Sequence, residues 1–426
     1  MIKTTFLLLL LYTVLGLHAQ SVKNFSPAPK PESAGFSENR LARIDKMLEE
    51  HVKNQWVPGA VALIVHDGKV VYYKAFGFSD LDKKTTLKKD DIFRIASQSK
   101  AITSLAVMML WEEGKFLLDE PVSKYIPEFK NPKVLKSFNK KDSTFTTEPA
   151  DREISIRHLL THSSGIDYAV IGSDEFKAIY AKAKIPSGIG NDRGILAEKM
   201  KILGGMPLKH QPGERWTYGL NSDVLGYLVE IWSGMAFNQF LNTRIFTPLG
   251  MKDTYFYLPK EKHNRLVSLH GNKDGKVFKM KTSAYDGAYD ALDPDYPALN
   301  GTYFSGGAGL SSTVEDYAKF LQLFLNHGEF NGARLLSRKT VELMLTDQSP
   351  ESTNEFGLGF GLETIKNDYR SPASLGSFSW GGAFNTNYWA DPKEKVIGLI
   401  YTNVYESQYG DIGEKFKVLT YQAMAD

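Results

Sequence analysis

The 426-residue chain contains no cysteine. Without thiols it has no disulfide bonds, no thiolate metal site, no cysteine nucleophile and no lipid-modified N-terminal cysteine. An exported protein that lacks disulfides depends on the size of its core for stability, and a chain of this length is able to bury a large one. The length fits two or three average domains, or one large enzyme with a subdomain.

The chain also lacks an excess of charge of either sign. The 51 lysines and arginines are balanced by 49 aspartates and glutamates, which leaves a formal net charge of +2. Because the sequence also has no concentrated basic stripe, this balance argues against a nucleic-acid-binding protein. The apolar content of 42% indicates a soluble globular protein with a full core.

Long hydrophobic runs are absent after the N-terminus. There, Lys3 precedes an apolar run over residues 6–17, and a small residue follows at Ala19. This order is typical of a secretory signal, and the run is too short for a membrane span. We therefore expect residues 1–19 to be removed as a signal peptide, which leaves a periplasmic or secreted protein with no stable membrane span.

The most informative stretch covers residues 97–114. Ser97 and Lys100 stand three residues apart at the start of a predicted helix, so their side chains share one face. Apolar residues fill most of the circumference behind them, as in a helix buried in a core, and Gly114 is a stop signal. A serine at the exposed end of such a helix, beside a lysine that is hard to solvate, suits a nucleophile with its base.

A simpler interpretation makes Ser97 only a helix cap and Lys100 a surface residue. The S-x-x-K spacing is weak evidence by itself, because it occurs again at Ser137 and Lys140. That second copy lies in a polar run with no apolar helix behind it. Context therefore favours the first copy as the functional one.

The two ends of the chain carry the strand signals. Ser37 is the predicted N-cap of an amphipathic helix, and residues 61–65 and 70–76 form a predicted hairpin whose connection contains Asp-Gly. The elements predicted near the C-terminus are strands over residues 356–364, 377–390 and 396–401 and an amphipathic helix over residues 411–424.

Between these ends, helical segments alternate with long polar loops, such as residues 131–151 and 271–297. This pattern predicts an α+β fold: an antiparallel sheet flanked by helices and built from both chain ends, beside a mostly helical second domain. The predicted sheet domain is discontinuous, comprising residues 33–96 and 301–426, and the predicted helical domain covers residues 97–300.

Three other patterns have competing interpretations. His158 and His162 have the i, i+4 spacing of metal ligands, but the glutamate of the zincin motif is missing, which favours structural hydrogen bonding. Tyr218 lies between a turn and a predicted helix capped by Asn221 or Ser222, a place where tyrosines usually pack. The glycines before the capping-box pattern of residues 312–315 lack the G-K-[ST] of a phosphate loop.

Five blocks in order resemble the serine β-lactamase-like superfamily, which comprises penicillin-binding proteins, class C β-lactamases and related serine esterases. The blocks are FRIASQSK (93–100), RHLLTHSSG (157–165), PGERWTY (212–218), GAGLSST (307–313) and WGGAF (380–384). They cover nearly all of the chain after the signal. The resemblance implies the β-lactamase/transpeptidase-like fold, with the active serine in a cleft.

The resemblance also implies roles for individual residues. Ser97 corresponds to the acylated nucleophile, and Lys100 with Tyr218 corresponds to the pair that removes its proton. The backbone N–H groups of Ser97 and Ala383 correspond to the oxyanion hole. The strand carrying Trp380, Gly381 and Gly382 corresponds to the substrate-binding edge. No cofactor and no metal are implied.

Two departures from the family pattern bear on substrate choice. The second motif, often Tyr-x-Asn, is Tyr218-Gly219-Leu220 here, with Asn221 one place late. The third motif, usually Lys or His, then Thr or Ser, then Gly, is replaced by a tryptophan and two glycines. An indole neither carries charge nor grips a carboxylate in a bidentate manner, so recognition of anionic peptide-like substrates is weakened.

These observations predict an exported serine hydrolase that cleaves carboxylic esters through a Ser97 acyl-enzyme, with a small ester or amide as its partner. The first alternative is a β-lactamase or a D-Ala-directed peptidase or D-amidase. The second is a non-catalytic protein that binds cell-wall fragments, although such a protein has no need of Ser97, Lys100 and Tyr218 together. An α/β-hydrolase fits poorly, because the chain has no G-x-S-x-G elbow.

Overall fold

The computed structural model describes residues 24–190, 193–281, 292–350 and 355–425, so the predicted signal peptide lies outside the described residues. The α-helices are α1 (Glu38–Lys53), α2 (Ser99–Glu112), α3 (Ile156–Leu160), α4 (Asp174–Lys182), α5 (Leu196–Gly204), α6 (Asn221–Ser233), α7 (Phe237–Leu241), α8 (Thr247–Leu249), α9 (Val314–Leu325), α10 (Arg338–Met344) and α11 (Ile412–Tyr421). In the described part of the chain, no helix is both long and apolar enough to cross a bilayer.

Several of the strands are only two residues long. They are β1 (Ser26–Pro27), β2 (Gly59–His66), β3 (Lys69–Asp80), β4 (Thr85–Thr86), β5 (Phe93–Arg94), β6 (Lys133–Asn139), β7 (Thr144–Pro149), β8 (His270–Lys273), β9 (Lys276–Lys279), β10 (Ser311–Ser312), β11 (Glu329–Phe330), β12 (Ala333–Arg334), β13 (Gly361–Leu362), β14 (Phe378–Gly382), β15 (Thr386–Asp391), β16 (Val396–Tyr401) and β17 (Val404–Tyr405).

The main sheet combines strands from both ends of the chain. Its order is β1-β3-β2-β16-β15-β14-β13, and its pairs are antiparallel except for β1 with β3. The two ends meet where β2 pairs with β16, with Val61 opposite Tyr401 and Val65 opposite Ile397. The predicted fold class, an α+β sheet built from both termini, is confirmed; the domain boundaries at residues 97 and 301 stay predictions.

Both faces of β2 are covered, which explains its unbroken apolar sequence. Ala60, Ala62 and Ile64 face the core that α1 and α11 close, whereas the residues between them face the larger core that includes α2 and α9. The alternation of side chains along a strand assigns successive residues to the two cores. The sheet is therefore a rigid layer between helices.

Helix α2 is buried around its whole circumference, as predicted. Every residue from Ser99 to Leu110 is buried. The helix ends at Glu112, and Gly114 follows with a left-handed φ of 72°. A helix enclosed in this way cannot tilt without opening the core, so the residues at its start are held firmly in place.

Three regions differ from the predicted elements. Residues 131–151 form the hairpin β6–β7 rather than a loop, and the predicted loop 271–297 contains β9 and most of β8, with residues 282–291 outside the described part. The predicted strand over residues 377–390 is the hairpin β14–β15. Its turn contains Asn385 with a φ of 54°, a conformation that asparagine tolerates better than most residues. The residues around Asn385 gave no signal that the chain turns there.

Helix caps were predicted with mixed success. Ser37 caps α1 by accepting from the Arg40 N–H, as predicted. Helix α6 has Leu220 at its N-cap position, one residue before the first of the two predicted caps, Asn221 and Ser222. Helix α9 is capped by Thr313 rather than Ser312, because Ser312 pairs with Phe93 in the β10–β5 ladder.

Candidate active site

Ser97 lies in a tight 3-10 turn, Ala96–Gln98, that leads directly into α2. The turn starts with strained backbone, since Ala96 has a φ of 42° in the region that alanine rarely occupies. It is held from two sides: the Ile95 N–H donates to the Leu310 carbonyl, and the Leu310 N–H donates to the Ser99 hydroxyl at 3.1 Å. Ser97 is 8% exposed, so the packed turn presents its hydroxyl at a fixed point with little freedom.

Lys100 lies one helical turn further on and is 2% exposed. Its Nζ is 3.3 Å from the Ser97 hydroxyl, 2.8 Å from the Gly307 carbonyl oxygen and 2.8 Å from the Tyr168 hydroxyl. A neutral amine has two N–H groups and one lone pair. The Gly307 carbonyl only accepts and therefore takes one N–H, and the Tyr168 oxygen can take the second. In the neutral form of Lys100 that a general base requires, the lone pair then remains for the Ser97 hydroxyl, 3.3 Å away, as in a nucleophile with its general base.

The two tyrosines of the site contact Lys100 differently. Sequence reasoning paired Lys100 with Tyr218, but the face of the Tyr218 ring lies over Nζ, 4.5 Å from the ring centroid. The phenol that hydrogen-bonds to Nζ is Tyr168, which the sequence analysis missed. Its only signal was its position three residues after the HSSG motif that ends at Gly165.

An aromatic wall formed by Trp216, Tyr218, Phe356 and Trp380 stands beside Lys100. Ring centroids are 5.6 Å apart for Trp216 and Tyr218, 5.8 Å for Tyr218 and Trp380, and 5.2 Å for Phe356 and Trp380. The Trp380 indole N–H points to the Tyr218 hydroxyl at 3.3 Å. The wall therefore offers an approaching substrate apolar ring surface, with the Tyr218 oxygen as its polar point.

The two histidines make structural hydrogen bonds, as predicted. His158 closes the cap of α3, because its Nδ1 accepts from the Ser155 N–H. The Asn221 amide donates to Nδ1 of His162 at 2.9 Å and accepts from the Ser164 hydroxyl. Asn221 is fully buried in this network, so the asparagine that arrives one place late in the second motif holds the wall instead of facing the cleft.

Burial decides the charge of both histidines. It lowers the pKa of His158 to about 4, and together with the positive charge of Lys100 it holds the pKa of His162 well below its usual range. His162, whose ring is 5.0 Å from that of Tyr218, is therefore neutral at physiological pH. Among the residues that the structure describes, no group of three or more possible ligands is arranged to hold a metal ion.

Strand β14 runs against the turn that carries Ser97. A Cβ on Gly382 would overlap both the Ile95 carbonyl oxygen and the Thr386 hydroxyl, whereas one on Gly381 would meet only ordinary contacts at 3.4 Å. Gly382 thus permits the close approach that brings Ala383 to the side of Ser97. The predicted oxyanion hole from the Ser97 and Ala383 N–H groups is consistent with this approach and stays a prediction.

The glycine requirement predicts a difference in stability. Gly382→Ala is expected to destabilise the protein by about 1–3 kcal/mol, since overpacking forces the backbone of β14 away from Ile95. Gly381→Ala, one residue earlier on the same strand, serves as the control and is expected to leave the denaturant midpoint within about 0.5 kcal/mol of wild type. Equal midpoints for the two variants in urea unfolding would show that β14 does not pack as described.

Comparison with known proteins agrees with this fold and geometry. Protein Rv1367c from Mycobacterium tuberculosis is 31% identical over 359 residues, covering 80% of this chain and 84% of that protein. Esterase EstB from Burkholderia gladioli is 28% identical over 383 residues, covering 87% of this chain and 92% of EstB. The structure of EstCE1, described as a hydrolase with promiscuous acyltransferase activity, superimposes with a TM-score of 0.77 at 24% identity and covers 90% of this chain and 99% of that one.

The sheet built from both termini and the serine–lysine pair at the head of a buried helix define a serine hydrolase of the β-lactamase-like superfamily. The chain belongs to the Beta-lactamase family, whose model matches residues 44–421.

Proposed function

We propose that this protein hydrolyses carboxylic esters of short or medium acyl chains through an acyl-enzyme at Ser97. The observation that carries the proposal is the environment of Lys100, whose buried Nζ lies 3.3 Å from the Ser97 hydroxyl and 2.8 Å from both the Gly307 carbonyl oxygen and the Tyr168 hydroxyl. This arrangement favours proton removal from the Ser97 hydroxyl. A protein that only bound ligands would gain nothing from a buried amine placed in this way.

In the proposed acylation, the Ser97 oxygen attacks the ester carbonyl carbon while its proton passes to Lys100 Nζ. The negative charge on the carbonyl oxygen is stabilised by the N–H groups of Ser97 and Ala383. As the tetrahedral intermediate collapses, the bond to the leaving alkoxide breaks, the alkoxide takes a proton from Tyr218, and the proton on Lys100 Nζ restores the phenol. Water then attacks the acyl carbon and gives a proton to the same amine–phenol system; the bond from the acyl carbon to the Ser97 oxygen breaks, the Ser97 oxygen takes that proton, and the acid is released.

The preference for esters rests on Trp380. Its indole occupies the position where the resemblance places the lysine or histidine of β-lactamases and D-Ala peptidases, and its N–H is already directed at Tyr218. Its ring packs on Phe356 and Tyr218. A neutral ester with an apolar acyl chain gains contact with this wall, whereas the carboxylate of a penicillin would lose water there without gaining a cationic partner. EstB, similar along most of its length, is named an esterase.

A substrate panel tests the proposal. Purified protein is assayed with p-nitrophenyl butyrate, a chromogenic cephalosporin and a D-alanine amide. We expect kcat/KM for the ester to exceed that for the cephalosporin by about a hundredfold or more, since an unpaired buried carboxylate costs a few kcal/mol. The D-alanine amide, which carries no carboxylate, tests the D-amidase alternative and should be turned over more slowly than the ester. Comparable turnover of the cephalosporin would favour a β-lactamase, and no turnover together with no fluorophosphonate adduct on Ser97 would favour the non-catalytic alternative.

The two tyrosines are expected to differ in their dependence on the leaving group. Tyr218→Phe should lower kcat/KM about a hundredfold for an ethyl ester but much less for a p-nitrophenyl ester, because p-nitrophenolate leaves without a proton. Tyr168→Phe removes the acceptor that orients Lys100, so we expect a loss of about tenfold that is the same for both esters.

The ratio of the two esters' kcat/KM values, measured for each variant, separates these roles. If Tyr168→Phe shows the leaving-group dependence and Tyr218→Phe does not, Tyr168 is the proton donor and the role that the resemblance implies for Tyr218 is wrong. If neither variant shows it, the donor is Lys100 itself.

We also propose that the protein is exported. The support is the order of Lys3, the apolar residues 6–17 and Ala19 in the sequence. Expression of the full chain in a bacterial host should give a periplasmic protein whose N-terminal sequence begins at Gln20. An intact N-terminus on protein found only in the cytoplasm would contradict export.

A further inference from the structure

Asp223 is a buried carboxylate that the mechanism above does not use. It lies in the first turn of α6 and is fully buried, next to the loop that carries the Gly307 carbonyl. The Tyr303 hydroxyl donates to its Oδ1 at 3.3 Å. Its Oδ2 accepts no well-aligned hydrogen bond in the described part of the chain, although the Ser305 hydroxyl and the Gly306 N–H are close enough to lower the pKa of the carboxyl group. A carboxylate oxygen left in this state is costly, which calls for an explanation.

The unpaired oxygen faces the catalytic lysine across Gly307. A Cβ added to Gly307 would lie 2.9 Å from Asp223 Oδ2, 3.3 Å from the Tyr168 hydroxyl and 3.5 Å from Lys100 Nζ. The three polar groups therefore surround the same small volume, which the absence of a side chain at Gly307 leaves open. Among the described residues no ion-pair contact joins Asp223 to Lys100, but both side chains are buried and the charge of Lys100 lowers the pKa of Asp223, so the two groups interact through space.

We propose that Asp223 is a positioning residue for the Lys100 base: its buried carboxylate stabilises the ammonium that forms when Ser97 transfers its proton to Nζ. The inference rests on the proposed function, because it assigns Lys100 as the base. As the bond from the Ser97 oxygen to the acyl carbon forms and the proton moves to Nζ, a positive charge appears next to the carboxylate. The attraction is stronger in the transition state than in the ground state, so it accelerates acylation.

The groups around the pair come from several elements. Lys100 is faced by Ser97 from the preceding turn, by Tyr168 and His162 from the loops after α3, and by Tyr218 and Asp223 from the start of α6. Of these, His162 is held neutral by burial and by Lys100. Asp223 is therefore the group that brings negative charge to the amine above about pH 6, since burial raises its pKa to about 6 against the opposing effects of Ser305, Lys100 and Tyr303.

The test compares Asp223→Asn with wild type in the full chain. The measurements are kcat/KM for p-nitrophenyl butyrate and the rate of Ser97 labelling by a fluorophosphonate, between about pH 5 and pH 10. We expect the plateau to fall about tenfold and the acidic limb to move to lower pH, because the carboxyl group whose pKa burial raises to about 6 is no longer present to lose its charge there. The thermal midpoint at pH 8 should stay the same or rise, because the variant no longer buries a charge.

Two control variants test whether the effect is specific to the Asp223 carboxylate. Asp316→Asn removes another buried carboxylate from the first turn of a helix, but Asp316 pairs with Lys319 and accepts from the Asp253 N–H, far from the reacting groups. It should leave the acidic limb in place. Tyr303→Phe removes a hydrogen bond that lowers the pKa of Asp223 while keeping the carboxylate, so it should move the limb toward higher pH, opposite to Asp223→Asn.

Each outcome decides the proposal. A lowered plateau with a shifted limb supports it. An unshifted limb overturns it, whether the activity is unchanged or falls together with the thermal midpoint as expected for a purely structural residue. If only the Asp223 proposal is wrong, the wild type still hydrolyses the ester and is labelled at Ser97. If the proposed function is wrong, the wild type shows neither hydrolysis nor labelling.

Discussion

Ser97→Ala is expected to lower kcat/KM for p-nitrophenyl butyrate by at least about ten-thousandfold, the scale seen when a serine nucleophile is removed. The reason is that, in the described part of the chain, the hydroxyls hydrogen-bonded to Lys100 Nζ are those of Ser97 and Tyr168, and the Tyr168 hydroxyl accepts from the amine. The variant should also give no fluorophosphonate adduct at this position by peptide mapping. Its thermal midpoint should change little, because the hydroxyl is small and its packing is set by the backbone of the turn.

The chain supplies its own matched control for this variant. Ser137 begins the second S-x-x-K sequence and is exposed on β6, so Ser137→Ala removes the same atoms from the same local motif. It should retain full activity. Residual hydrolysis by Ser97→Ala within about a hundredfold of wild type would mean that water is activated directly or that another residue is acylated.

The contrast between the two S-x-x-K copies shows how far sequence reasoning reaches. The spacing alone did not separate Ser97 from Ser137, but the apolar circumference after Lys100 did, because it predicted a buried helix and α2 is buried along its length. The contact between Ser97 and Lys100 follows directly from the i, i+3 geometry of that helix. Local periodicity thus predicted the two central residues of the site and the distance between them.

Tyr168 illustrates what local patterns miss. It is 68 residues from Lys100 in sequence and lies in an irregular loop after α3, where no periodicity indicates the direction of a side chain. Its position depends on how the loop packs against α2 and α6, which is a tertiary property. The role assigned to Tyr218 came from resemblance, and the structure places the ring of this phenol 4.5 Å from Lys100 Nζ.

The prediction of the C-terminal strands failed for a different reason. Residues 377–390 read as one continuous strand because apolar and aromatic residues extend across the turn, but the chain reverses at Asn385. The reversal places Trp380 opposite Tyr388 on β15 and brings Gly382 against Ile95. The edge of the site is therefore made by a hairpin whose turn residue, Asn385, is a weak sequence signal for a turn. The position of the hairpin depends on the packing of Gly382 against Ile95, which is a tertiary contact.

Lys100→Met is expected to lower kcat/KM by about ten-thousandfold, at the upper end of the contribution of a general base. Methionine keeps an unbranched apolar stem of similar length, so it fills the same space in the core while removing Nζ. The Ser97 hydroxyl then has no group to take its proton, and the Tyr168 hydroxyl and Gly307 carbonyl lose their donor. The measurement is the hydrolysis rate together with the rate of fluorophosphonate labelling, since both depend on the activated Ser97 oxygen.

The stability of this variant distinguishes loss of the base from loss of the fold. Replacing a buried amine by an apolar side chain is often neutral or stabilising, so we expect the thermal midpoint to stay within a few degrees of wild type, about the shift that 1 kcal/mol produces. Lys140→Met, the equivalent change in the exposed second copy of the motif, should leave activity unchanged. If Lys100→Met labels within about tenfold of the wild-type rate, the amine is not the base. Tyr218, whose ring lies against the amine, would then be the group that activates Ser97.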